Sequence, residues 1–215
     1  MAIDPGQLIV SFIVLLFSLT VHEAAHAWTA WRLGDSTALN LGRVSLNPMV
    51  HIDPVGTILF PLVAMVTNVP VLGWAKPVPV STRNLGAHWK QKFMAIAAAG
   101  PASNLIIAGI AAVLFRVALA ADYADSNVGT TSFVLALLEK AIEMNVILAL
   151  FNMIPVPPLD GGNVLSGLLR GNVSEMFDRL RPYGFLILYA LMFTGVLNTI
   201  IVPPARLLLG LLGVL

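Results

Sequence analysis

At 215 residues, 58% of them hydrophobic and only 11% charged, with a mean hydropathy of +0.87, the chain reads as one integral membrane domain, residues 1–215, with no room for a large soluble module; soluble domains carry about 25% charged residues. The formal net charge is +1 and no basic stripe interleaves with aromatic residues, which excludes nucleic acid as a partner. Cysteine is absent, so disulfides, thiolate metal sites and cysteine nucleophiles are excluded, and any metal must be held by His, Asp or Glu.

The first apolar block runs from about Gln7 to Leu33 and contains SLTVHEAAHAWTA at 18–30. MAIDPG ahead of it has no Lys or Arg and no small-residue cleavage site follows, so the block is expected to be a retained span rather than a signal peptide. TALNLGRVSLNP alternates apolar and polar residues and predicts a strand. The second block, Val55–Leu72, is broken by Gly56, Pro61 and Asn68; GWAKPVPVS at 73–81 follows and reads as an extended edge or loop. The third block is Phe93–Ala121, and the fourth is Phe133–Ile154 with Glu139, Lys140 and Glu143 in its first half. These three sit at the outer end of the block and are expected to snorkel to the interface. The fifth block, Gly184–Val202, is expected to stop at Pro203 and Pro204. The tail Leu207–Leu215 is shorter than the roughly 20 residues of a span and predicts an interfacial or packed helix.

The second block could span or re-enter, and basic residues discriminate, because cytoplasmic loops are enriched in them. With a re-entrant block, Arg32, Arg43, Lys76, Arg83, Lys90, Lys92, Arg170, Arg179 and Arg181 share one side and Arg116 stands on the other. With a spanning block, Arg32, Arg43 and Arg116 oppose the remaining seven. The cleaner split favours a re-entrant or shallow block, an outside N-terminus and a basic cytoplasmic side. The expected fold is an all-α polytopic membrane protein with about four spanning helices, a re-entrant segment and a short membrane-associated β-strand region.

His22, Glu23 and His26 form H-E-x-x-H. On a helix the two histidines project from one face and can reach one zinc ion, while Glu23 can lean over the same ion and move a proton. Three titratable groups in an apolar span are costly and need a partner, which a metal supplies. A catalytic site usually takes a third protein ligand. The candidates are His51, Asp53, His88, Asp160, Glu175 and Asp178. Asp160 is the strongest, in FNMIPVPPLDGGNVL at 151–165, where Pro155, Pro157 and Pro158 must interrupt the helix and Gly161 and Gly162 permit close backbone approach. Spacing alone equally allows Asp160 as the N-cap of an ordinary next helix. Topology separates the two readings, because a re-entrant second block makes blocks one and four parallel and brings HEAAH and Asp160 to the same side.

HEAAH, AGPASN at 99–104 and NMIPVPPLDGG at 152–162 resemble the site-2 protease family of intramembrane zinc metalloproteases. GRVSLNPMVHIDPVGT with GWAKPVPV is similar to its minimal prokaryotic branch, which lacks PDZ and CBS domains; the resemblance covers about residues 7 to 202. It implies one Zn²⁺ per chain on His22, His26 and Asp160, Glu23 as catalytic base, and Asn152 steadying the reacting carbonyl or positioning the substrate. It also implies cleavage in or near transmembrane segments of membrane-protein substrates in the lipid bilayer of the plasma membrane, with the site toward the cytoplasm. Asn152 could instead cap carbonyls freed by Pro155, Asn104 suits an interhelical hydrogen bond, His51 reads as a loop histidine or a group near the zinc, and Asp53 suits a turn. Two rival functions remain open at this level. One is a non-proteolytic membrane metal-binding protein or transporter, to which Glu23 would be dispensable. The other is a scaffold that sequesters transmembrane helices, to which the ligands would be dispensable.

Overall fold

The computed structural model describes residues 5–67, 73–122 and 128–214. It is helical: α1 (Pro5–Arg32), α2 (Thr37–Asn40), α3 (Phe60–Thr67), α4 (Thr82–Leu85), α5 (Trp89–Asp122), α6 (Val128–Asn152), α7 (Asp160–Leu168), α8 (Gly171–Asp178), α9 (Gly184–Phe193) and α10 (Val196–Leu212). A wider-wound π turn at Pro54–Leu59 leads into α3. The end of the second block, residues 68–72 with Asn68, lies outside the described residues.

The long helices are turned inside out relative to a soluble bundle. Along α1, Ile9, Ile13 and Phe17 face outward, each more than half exposed, while Ser18, Thr20 and His22 are buried. Along α5, Ile106, Ile110, Val113 and Val117 face outward, while Asn104 is fully buried. Apolar outside and polar inside is the arrangement lipid demands, since hydrocarbon cannot satisfy polar groups and the interior must do so. Between α5, α6 and α10 the core is built from Ala108, Ala111, Ala112 and Ala205 around Ile142 and Val146. Small residues let helix backbones approach closely where no hydrophobic drive separates lipid from protein.

Two stretches, Gly6–Arg32 and Thr82–Ala120, are long and apolar enough to cross a bilayer, and a third results if Gly171–Phe193 and Val196–Leu212, bent by 75°, count as one. The expected four spans are therefore two or three by length and composition. The fourth block falls short because Glu139, Lys140 and Glu143 lie within every membrane-length window of α6. The fifth block also differs from expectation. Pro203 and Pro204 do not stop it but sit inside α10, and the break comes earlier, at Gly195 in the left-handed region (φ +76°). The tail is a packed helix end, with Leu208, Leu209 and Leu212 against the α5–α6 core.

Among the described residues no strand forms, which corrects the expected β region. The TALN of the alternating stretch closes into α2, with Thr37 held by the Asp35 carboxylate through both its backbone N–H and its hydroxyl. Residues 73–81 are extended but make only isolated bonds. Trp74 N–H donates to Gly56 C=O at 3.0 Å and Lys76 N–H to His51 C=O at 2.9 Å. Prolines at 77 and 79 have no N–H to continue a ladder.

The hydrogen bonds fix helix direction. As α1 runs from His22 to His26, its partners on α5 run back from Asn104 to Ile96, so these helices are antiparallel. Ser18 meets Asn145 of α6, and four to eight residues further along α1 the histidines meet Asp160, just beyond α6, so α1 and α6 run parallel. Residues 33–88 leave and return at one end of the bundle. Lys92 Nζ bonds Leu33 C=O, Asp35 takes bonds from Ser81 N–H and Asn84 Nδ2, and Leu85 packs on Ala30 and Ile96. The 8-residue α3 is too short to cross.

Candidate metal centre

The local sequence dictates how Asp160 reaches the α1 histidines. Pro155, Pro157 and Pro158 end α6 after Asn152, and short turns carry the chain to Leu159. Asp160 is the first residue of α7, and its carboxylate is directed at the histidines rather than at its own helix. The turn is tight enough that only glycine fits behind it. A Cβ at Gly161 would press on the Met153 carbonyl, and one at Gly162 would come to 2.7 Å from Pro157 N. From the other side Gly184 packs against the Pro157 carbonyl with no room for a side chain.

Three ligand atoms converge. His22 Nε2 and His26 Nε2 are 3.0 Å apart, His22 Nε2 is 3.0 Å from Asp160 Oδ2, and His26 Nε2 is 3.4 Å from Asp160 Oδ1. Tetrahedral zinc at its usual bond lengths sets ligand atoms roughly 3.3 Å apart. Both histidines are buried and Asp160 is nearly so. Gly100 of α5 lies directly over the pair, and a Cβ there would press on both Nε2 atoms.

The hydrogen bonds behind the histidines fix which nitrogen carries the proton. His26 Nδ1 is 2.7 Å from the Ile96 carbonyl, which only accepts, so Nδ1 is the N–H. For His22 the assignment runs through two amides. Asn145 Nδ2 donates to the Ala141 carbonyl at 2.8 Å and to Ser18 Oγ at 2.9 Å, which leaves Asn145 Oδ1 facing Asn104. Asn104 Nδ2 donates to that oxygen at 2.8 Å, so Asn104 Oδ1 faces His22 Nδ1 at 2.6 Å and takes its proton in a hydrogen bond. Both Nε2 lone pairs therefore point at each other and at a carboxylate. Such a convergence of electron-rich atoms is repulsive unless a cation lies among them, and the tautomers are those a metal requires. The three residues fit a divalent metal.

Glu23 is buried on the same helix and makes no hydrogen bond or ion pair among the described residues. Of the other third-ligand candidates, none joins the cluster. His51 is buried, but its Nε2 bonds Ser45 C=O at 2.8 Å. Asp53 caps the π turn, accepting from Val55 and Gly56 N–H. Asp178 pairs with Arg181 at 2.9 Å, and His88 and Glu175 are exposed. Asn152 is not brought into the cluster either; its Nδ2 donates to Leu148 C=O at 2.9 Å. Sequence reasoning missed two residues. Asn145 completes the His22 relay, and its only signal is an amide in the middle of an apolar helix. Arg43 is buried beside Glu23, and read as sequence it is one loop charge among nine.

Comparison with known proteins gives the family. The profile of Peptidase family M50 matches residues 117–195, which include Asn152 and Asp160. The protein named "Putative zinc metalloprotease YwhC" from Bacillus subtilis (strain 168) is 37% identical over 195 residues, covering 89% of this chain and 83% of its own. The chain belongs to peptidase family M50. Two further relatives, each named "Putative zinc metalloprotease Rip2", come from Mycolicibacterium smegmatis (strain ATCC 700084 / mc(2)155) and Mycobacterium tuberculosis (strain ATCC 25618 / H37Rv). They are 29% and 25% identical; each match covers 85% of this M50 chain and 66% of the relative. No solved structure matches it.

Proposed function

We propose that this protein is a zinc-dependent intramembrane endopeptidase that hydrolyses peptide bonds in or near transmembrane segments of other membrane proteins. The observation that carries the reading is the set of inward lone pairs of His22 and His26 facing Asp160, with Glu23 buried beside them and otherwise unpaired. Zinc bound there would supply a Lewis acid that polarises the scissile carbonyl and makes a water acidic enough to attack near neutral pH. Glu23 takes the proton of the attacking water and gives it to the leaving amine. Asn104, Asn145 and the Ile96 carbonyl hold the imidazoles in register. Asn152, next to the proline-broken turn, is assigned a remaining N–H for the reacting carbonyl.

The basic-residue split and the short α3 support a re-entrant Val55–Leu72, and with α6 as a further crossing they give four crossings. They also support an outside N-terminus, a site toward the cytoplasm and residence in the plasma membrane. The test is co-expression with a labelled single-span substrate. Glu23→Gln is expected to bind zinc like the parent and to cleave about a hundredfold more slowly or worse. Undiminished cleavage by a well-folded Glu23→Gln protein would refute the mechanism, and absence of cleavage by the zinc-loaded parent would favour the metal-binding or transport reading.

A further inference from the structure

Among the described residues only two side-chain polar atoms fully closed off from solvent lack a hydrogen-bond partner, Arg43 Nε and His51 Nδ1. Both side chains are more than nine-tenths buried. An orphaned buried donor or acceptor is costly, so two in one place call for an explanation. They are chemically complementary. Arg43 Nε carries a proton and can only donate. His51 Nε2 faces the Ser45 carbonyl and must hold the ring proton, so Nδ1 carries a lone pair and can only accept. Burial, with a smaller push from the Arg43 charge, holds His51 below the ordinary histidine range and keeps the ring neutral. Both residues lie within electrostatic reach of Glu23, and neither bonds it.

Both atoms are closed off in the resting fold, so an entering segment must part the side chains over them; one donor and one acceptor beside the proposed base then match the C=O and N–H of an extended backbone. The surroundings already handle such a backbone on their other side. Arg43 Nη2 donates to the Lys76 carbonyl, and Lys76 N–H donates to the His51 carbonyl. Next to them, between α1 and residues 44–46, lies an apolar groove of about 330 Å³ lined by Val21, Ala24, Trp28, Val44 and Leu46, suited to the side chains of a membrane segment.

We propose that Arg43 and His51 form a backbone clamp for the substrate, Arg43 Nε–H donating to one substrate carbonyl and His51 Nδ1 accepting one substrate N–H next to the scissile bond. The clamp rests on the proteolytic reading and names its substrate form, an unwound, extended segment of an apolar span. A helical segment has its amides already bonded and cannot use the clamp.

The test uses the zinc-loaded full chain in lipid nanodiscs and a labelled synthetic single-span peptide of alanine and leucine with a central Asn-Gly pair. Cleavage by the parent protein tests the proteolytic reading. Equilibrium binding to the Glu23→Gln protein tests the clamp without needing cleavage. Backbone amides of the peptide are replaced one at a time by esters, which removes a single N–H while leaving the protein untouched. At one position the ester is expected to weaken binding about tenfold, and in a His51→Leu background the same ester is expected to cost nothing further. Arg43→Lys, which keeps the charge and can still reach Lys76 C=O, is expected to raise KM about tenfold with kcat little changed. An ester scan with no position costing more than about twofold, or equal ester costs with and without His51, overturns the clamp and leaves the two atoms satisfied within the fold. A peptide that the parent cleaves but the Glu23→Gln protein does not bind overturns it as well.

Discussion

Asn145 touches neither the proposed ligands nor the base, yet it fixes the protonation of one ligand two bonds away. Replacing it by Leu removes three interactions at once: the acceptor for Asn104 Nδ2, and the donations to Ser18 Oγ and Ala141 C=O. Asn104 is fully buried, so its amide must find another partner, and the nearest is His22 Nδ1. Turning the amide over offers Nδ2 to that nitrogen and moves the imidazole proton to Nε2, where it blocks ligation. Outer-shell partners of ligating histidines are worth about 10- to 100-fold in metal affinity, or roughly 1.4 to 2.7 kcal/mol. The assay is zinc competition against a chromophoric chelator on purified Asn145→Leu and parent protein, with the melting temperature of each apo form as control. Zinc affinity within about threefold of the parent, at matched apo stability, would refute the tautomer argument.

Gly100→Ala places a methyl on both Nε2 atoms, so zinc affinity is expected to fall by more than about 100-fold, and the apo fold is expected to lose stability as well because the two buried imidazoles must shift; the chelator titration and an apo melt read the two effects. Burial pushes the Asp35 carboxyl up, but bonds from Thr37, Asn84 and Ser81 outweigh it and hold the group below its usual 3.8. Its contribution to stability is therefore complete above that value and fades as the pH falls through the lower folded value. Asp35→Asn is expected to lose about 2 kcal/mol or more at pH 7, with a gap to the parent that closes below about pH 4 in denaturant titrations. Chelation should lower the melting temperature, with stability recovering by about 1.4 kcal/mol per tenfold excess of zinc over its dissociation constant; Glu23→Gln should keep that slope and Asp160→Ala should lose it.

Helix content and the metal cluster were legible because their signals are local. Apolar length marks α1 and α5, and the HEAAH spacing puts two imidazoles on one helix face. Asp160 needed a topological step, and the parallel course of α1 and α6 in the fold is the course that brings it to HEAAH. What failed depended on tertiary context. The alternation of TALNLGRVSLNP mimics a strand, but Asp35 organises α2 at its start and no partner strand exists among the described residues to pair with the rest. Pro203 and Pro204 look like a stop, yet the chain turns at Gly195, whose freedom to take a positive φ leaves no distinctive mark in an apolar run. Arg43 and Asn145 were invisible for a common reason: a polar residue's worth is set by what it faces, and the faces belong to segments tens of residues away.

Charge explains why so many polar groups share one end of an apolar bundle. With neutral imidazoles, the buried acids at the centre are Glu23 and Asp160, two negative charges in surroundings that screen poorly. A divalent cation brings that sum to zero. In the proposed mechanism, passing a proton from water to Glu23 would leave it at zero, because the charge lost from the carboxylate reappears on the attacking oxygen. Chemistry of that kind would move charge over a few ångströms without creating any net charge in the membrane domain, where unbalanced charge is most expensive. Arg43 stands outside that balance. Its charge is buried, neither carboxylate pairs with it, and its one hydrogen bond is to the Lys76 carbonyl. It becomes useful when a neutral peptide carbonyl, polarised by the neighbouring centre, is placed against its free N–H, so its position beside Glu23 fits substrate handling better than fold maintenance.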